Sequence, residues 1–153
     1  MLPPCAPAVK PVSGAETDTG YILVPMTADV RVPHRLAPSF AVLEAQVWAT
    51  NDPVLLDCCR IRLAQLVGRE VEPRCAPVDK VAGLRRWPTD PAFTEAERAV
   101  LDFCEHYAID AGSVTDAHAA RLHEHFDEPA LAALTTGIAF FDAVARVANA
   151  QEA

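Results

Sequence analysis

The stretch Pro53-Val54-Leu55-Leu56-Asp57-Cys58-Cys59-Arg60-Ile61-Arg62-Leu63-Ala64-Gln65-Leu66-Val67-Gly68 decides the fold class. Leu55, Leu56, Cys59, Leu63, Leu66 and Val67 recur near three- and four-residue steps, which places them on one stripe of a helix. Asn51-Asp52-Pro53 supplies the start, with proline near the first turn, where an amide has no helical partner. Gly68 supplies the stop. A helix over 53–67 follows, and then a poor helix over 69–77, where Pro73 and Pro77 remove amide donors.

Working outward, the same periodicity continues on both sides. Ser39 is placed to cap a helix running to about Ala49, with Phe40, Leu43, Val47 and Trp48 on one face. A short helix over 78–84 ends near Gly83. Thr94-Glu95-Ala96-Glu97 has the form of a capping box and opens a helix to about Asp110, stopped by Gly112. Thr115 caps another, to about His125. The last begins near Asp127-Glu128-Pro129 and reaches about Asn149, with Leu131, Leu134, Ile138, Phe141, Ala145 and Ala148 in step. It is apolar on most of its circumference, which suits the centre of a core or a subunit interface.

The prediction is an all-α bundle of about six helices. Composition agrees: 28 of 153 residues are alanine, a strong helix former and a poor strand former, which excludes a β-sandwich or barrel. The length is one domain's worth of chain. Residues 1–38 hold seven of the thirteen prolines and read as an extended arm, with Tyr21-Ile22-Leu23-Val24 as an apolar clump seeking a surface. The helical domain is expected over 39–153. The longest apolar stretch, 130–148, carries Asp142 and Arg146, so no membrane span is expected. Met1-Leu2-Pro3-Pro4-Cys5 has neither the basic nor the apolar region of a secretory signal.

Charge is uneven along the chain. Residues 1–89 hold 10 Lys/Arg against 9 Asp/Glu, whereas residues 90–153 hold 3 against 12. Seven basic residues fall between Arg60 and Arg86, a stretch able to attract a small anion. The net charge of −8 disfavours nucleic acid, where phosphate neutralisation supplies most of the affinity. Five cysteines, with no signal and no Cys-x-x-Cys, fit reduced thiols in the cytoplasm. His118, His123 and His125 lie near one another but not four apart, so no metal is expected. No cofactor is expected either.

One segment concentrates the chemistry: Asp57, Arg62, Ala64, Gln65, Leu66 and Gly68, followed by Glu70-Val71-Glu72. Two further blocks stand with it in order, Arg86-Trp87-Pro88 through Phe93-Thr94-Glu95-Ala96-Glu97-Arg98-Ala99, and Val114-Thr115-Asp116 to His125-Phe126-Asp127 with the apolar tail helix. Over roughly residues 39–149 this resembles the carboxymuconolactone decarboxylase and alkylhydroperoxidase D superfamily. The resemblance implies an AhpD-like helical fold and homo-oligomers, commonly trimers or hexamers.

It also implies a choice of chemistry. The peroxidase branch carries Cys-x-x-Cys-x-x-x-His after the glycine, with a carboxylate twelve residues before the first cysteine. Here the cysteine positions hold Arg69 and Glu72, the histidine position holds Ala76, and only the carboxylate is kept, as Asp57. A peroxidatic dithiol cannot be built from these residues. The other branch carries Glu-Tyr-Glu-Trp and a histidine; Glu70-Val71-Glu72-Pro73 is closer to it but lacks the aromatics and the histidine.

The expected function is a cysteine-independent acid–base enzyme, of decarboxylase or lactone type, acting on a small anionic molecule. Asp57, Glu70 and Glu72 are the candidate proton-transfer groups. Arg62, Gln65 and Arg69 are the candidate substrate-binding groups. Two alternatives stand beside it. One is a non-catalytic binding or assembly protein that kept the fold. The other is thiol redox activity at Cys75, a loop cysteine beside Arg74, whose charge would lower the thiol pKa. Each charged residue also has a plainer reading, as a helix-dipole partner, an ion pair between helices or a solvated loop charge.

Overall fold

The structure is a computed structural model, and it describes residues 21–23, as backbone, and 30–152. Expectations for residues 1–20, for the burial of the Tyr21–Val24 clump and for Cys5 lie outside the described residues. Two short strands, β1 (Tyr21–Leu23) and β2 (Arg31–Pro33), pair antiparallel with Ile22 opposite Val32. Six helices follow: α1 (Ala37–Thr50), α2 (Pro53–Leu66), α3 (Val78–Gly83), α4 (Glu95–Ile109), α5 (Asp116–His123) and α6 (Glu128–Glu152). The fold is an all-α bundle.

Capping chemistry sets most boundaries. Asp52 Oδ1 accepts the Leu55 amide at 2.8 Å and opens α2. The exit of α2 is a Schellman motif: Gly68, at φ +80°, donates to Gln65 O, while Arg69 donates to Ala64 O. Only a residue tolerant of the left-handed region fits there, and glycine does so without strain. Thr94 and Glu97 form the expected box on α4. Ser39 does not cap α1, which begins two residues earlier and carries proline in its first turn.

The burial pattern corrects one expectation. On α1, Leu43 points outward at 46% exposure, and Glu44 takes its inward place with Val47 and Trp48. The centre of the bundle is α2, and α6 packs its apolar face into the same core, as its sequence suggests. Leu55, Leu56, Asp57, Cys58, Cys59, Ile61, Leu63 and Ala64 of α2 are all buried, which leaves little of it facing water. Gly137 of α6 makes close approach possible, since a Cβ there would come within 2.8 Å of Leu56 Cδ1. Trp48 meets Phe141 edge-on at 5.5 Å, and Phe40 packs on Phe140 at 5.1 Å, locking α1 to α6. By length and composition α6 is apolar enough to cross a membrane. Its Leu131, Leu134, Ile138 and Phe141 nevertheless lie in the core, and Asp142 binds Arg146 on its outer side.

The end of the arm is docked rather than loose. Val30, Val32 and Ala37 bury against Ala148, and Gln151 exchanges two hydrogen bonds with the Arg31 backbone, at 2.8 and 3.0 Å.

Candidate functional site

Asp57 is wholly buried, and its carboxylate is fully used. Oδ1 accepts Arg60 Nε at 2.8 Å. Oδ2 accepts three successive backbone amides, from Arg74 at 2.7 Å, Cys75 at 2.7 Å and Ala76 at 2.9 Å. The reason is local. Residues 74–76 lie outside any helix, between Pro73 and Pro77, so their amides need an acceptor when they pack inward. Arg60 completes the tie by donating to the Glu72 carbonyl. The sequence reading gives Asp57 a proton-transfer role; with no open acceptor position facing a substrate, it instead anchors the 72–76 loop to α2.

The loop so held presents Arg74 to α1. Arg74 Nη1 binds Glu44 Oε1 at 3.0 Å, and its guanidinium carbon lies 5.5 Å from the centre of the Trp48 ring. Glu44 is wholly buried. Its second oxygen, Oε2, has no hydrogen-bond partner among the described residues, and neither does Trp48 Nε1 one helical turn away. The Trp48 indole on the same helix face pulls the Glu44 pKa down, less than Arg74 does. Burial raises the Glu44 pKa above its ordinary value of 4.5, outweighing the pull of Arg74 and the weaker pull of Arg60. Residue order alone does not single out Glu44. A signal existed: Glu44 stands four residues from both Phe40 and Trp48, on the apolar stripe itself.

The other candidates lie elsewhere. Arg62 follows Arg60 by two positions, about 200° around the helix, and faces α4. There Arg62 Nε binds Glu105 Oε1 at 2.5 Å, Arg62 Nη1 reaches Gln65 Oε1 at 3.2 Å, and Trp87 Nε1 donates to the same Glu105 oxygen at 2.6 Å. Arg69 pairs with Glu152 at the end of α6 at 2.5 Å. Glu70 pairs with Arg85 in the open, with side chains 73% and 63% exposed. The Glu72 side chain is exposed. Asp57, Arg62, Gln65 and Glu72 therefore do not meet in one constellation. The structure gathers Glu44, Trp48, Asp57, Arg60 and Arg74 instead.

Cys58 and Cys59 are not activated. Burial and neighbouring negative charge push Cys58 up to about 12. A hydrogen bond with Cys104, together with burial, drives Cys59 well upward. Cys75 is disulfide-bonded, so it is not the free thiol that its expected reactive role requires.

The expectation of no metal rests on His118, His123 and His125. It overlooks Asp102 and His106, four residues apart on α4, which the fold brings beside His118 of α5.

Among known proteins, the chain is similar to YnjA of Escherichia coli (strain K12), described as an uncharacterized protein, with 30% identity over 110 residues. The match takes in 66% of this chain and 60% of that protein, so the chain spans less than two thirds of its relative's length. No protein-family model matches the chain, and no solved structure matches it.

Proposed function

We propose that this chain is a cysteine-independent acid–base enzyme acting on a small anionic molecule, within the decarboxylase-like branch that its sequence resembles. Glu44 is the proton-transfer group and Arg74 holds the anion. The observation that carries the reading is the buried Glu44 carboxyl, with one oxygen bound to Arg74 and the other unpartnered. A carboxyl raised by burial keeps a proton nearer to neutral pH than a solvated one does, as a general acid requires. Loss of carbon dioxide from an acid leaves an electron pair on carbon, which must then be protonated. A guanidinium can hold a second carboxylate of the same substrate through a charge-assisted pair. Asp57 is a positioning residue here, since it fixes the backbone of Arg74. No cofactor enters this scheme, and a cytoplasmic homo-oligomer remains part of the proposal.

The test is turnover. Small di- and tricarboxylates and lactone acids are screened with the full chain for carbon dioxide release and for thermal shift. Glu44→Gln then lowers kcat by at least about 100-fold, the scale of general acid catalysis, while circular dichroism stays unchanged. Equal turnover by Glu44→Gln removes the proposed role.

One observation favours the assembly reading instead: Asp57, Arg62 and Arg69 are each already bound to side chains of the same chain. Val42 and Leu43 on α1 and Val147 on α6 are meanwhile exposed. A stable oligomer without response to any carboxylate in the screen supports that reading.

A further inference from the structure

Away from Glu44, α4 and α5 bring two imidazoles and a carboxylate to one place. Asp102 and His106 share a face of α4 at i,i+4. His118 is the third residue of α5. His106 Nδ1 lies 3.4 Å from Asp102 Oδ1, and His118 Nε2 lies 3.8 Å from Asp102 Oδ2. The two imidazole centres are 4.4 Å apart, with their planes at 50°. One donor atom from each residue falls within 4.8 Å of the other two. Zinc–ligand bonds of about 2.0–2.2 Å in a tetrahedron put neighbouring donors roughly 3.3–3.6 Å apart. The two carboxylate-to-imidazole contacts run to different oxygens of Asp102, so side-chain rotation must bring a single oxygen and the two nitrogens from within 4.8 Å to that spacing.

We infer that Asp102, His106 and His118 form a binding site for a divalent transition-metal ion of the zinc type, with the fourth position open to water. Two nitrogens and one carboxylate oxygen suit zinc, nickel or copper better than magnesium or calcium, which prefer oxygen alone. The site is reachable, since the three side chains are 23%, 42% and 15% exposed.

The surroundings supply both a support and a competitor. His118 Nδ1 is 2.9 Å from Thr115 Oγ1 and 3.0 Å from Thr115 N, which donates to it. A metal on Nε2 moves the ring's proton to Nδ1, at the cost of the bond now donated by the Thr115 amide, and Nδ1 then donates to the Thr115 hydroxyl, which can act in either sense. That bond fixes the ring's tautomer and orientation. His106 Nδ1 is 2.8 Å from the Asp102 carbonyl, and this contact yields when the nitrogen ligates. Arg121 Nη1 holds Asp102 Oδ2 at 2.9 Å and is 47% exposed, so it competes with the ion for the same carboxylate.

Calorimetric titration of the full chain with zinc chloride tests the site, together with the absorption of the cobalt(II) form. The expected result is one zinc ion per chain, a rise in Tm, and the intense visible bands of a four-coordinate cobalt ion. His106→Ala and His118→Ala each weaken zinc binding by more than about tenfold, at least the scale of losing a supporting contact, with helicity unchanged. Arg121→Ala removes the competing cation and tightens binding. The inference is overturned by the absence of 1:1 binding, by wild-type affinity in both histidine variants, or by weaker binding in Arg121→Ala.

Discussion

Asp57 and Glu44 are both wholly buried carboxylates, and Arg74 touches both, through its backbone amide on Asp57 and its guanidinium on Glu44. Their hydrogen-bond accounts are opposite. Asp57 receives four donors and has become part of the scaffold. Glu44 receives one, and leaves an oxygen unsatisfied beside an equally unsatisfied indole nitrogen. An unmet buried acceptor costs free energy, of order 1–3 kcal/mol and more for a charged group. A fold gains nothing in stability by keeping it. The comparison teaches that burial of a carboxylate does not identify chemistry; unused bonding capacity is the more telling sign.

The largest effect that tests the contrast is at Asp57. Asp57→Ala leaves three inward amides and the Arg60 guanidinium without their acceptor, and should lower stability by about 3–5 kcal/mol, the scale of breaking a buried pair. Urea unfolding measures it; a loss below about 1 kcal/mol, no more than a single ordinary hydrogen bond, would mean that the 72–76 loop is held by something else.

At Glu44 the expected effect is smaller and depends on pH. Its folded pKa is raised above 4.5, so the folded state holds that proton more tightly than the unfolded chain. The associated stability is fully present below about pH 4.5 and is lost as pH rises through the folded value. Glu44→Gln removes this slope. The stability difference between wild type and variant, followed by thermal melts from about pH 4 upward, should therefore move against the wild type as pH increases. A difference flat with pH would place the Glu44 charge in a solvated setting and undo the contrast with Asp57.

The smallest effect comes from the exposed pair of Glu70 and Arg85, which serves as the reference for charge without burial. Arg85→Ala should change stability by no more than about 0.5 kcal/mol, and salt should shrink even that.

Much of the scaffold is legible in residue order. The Thr94–Glu97 box, the Asp52 cap and the Gly68 stop are local devices, working over three to five residues, and each forms where the pattern places it. Leu43 and Glu44 show where pattern reading fails. They are neighbours, only about 100° apart on the helix, and hydrophobicity alone assigns the inward place to leucine. Packing assigned it to glutamate, because Arg74 arrives from a loop thirty residues away to meet it. Arg62 shows the same limit. Its charge is legible, but its partner Glu105 lies on another helix 43 residues on.

The sequence by itself determined that this chain is helical, where most helices start and stop, and that it holds no Cys-x-x-Cys pair. Those properties rest on propensity, capping and spacing, which act over a few residues. Tertiary structure decided which carboxylate is scaffold and which has bonding capacity to spare, and it joined Asp102, His106 and His118 across two helices. Hydrogen-bond satisfaction and metal-ligand geometry depend on groups far apart in the chain, and only the packed fold sets their distances.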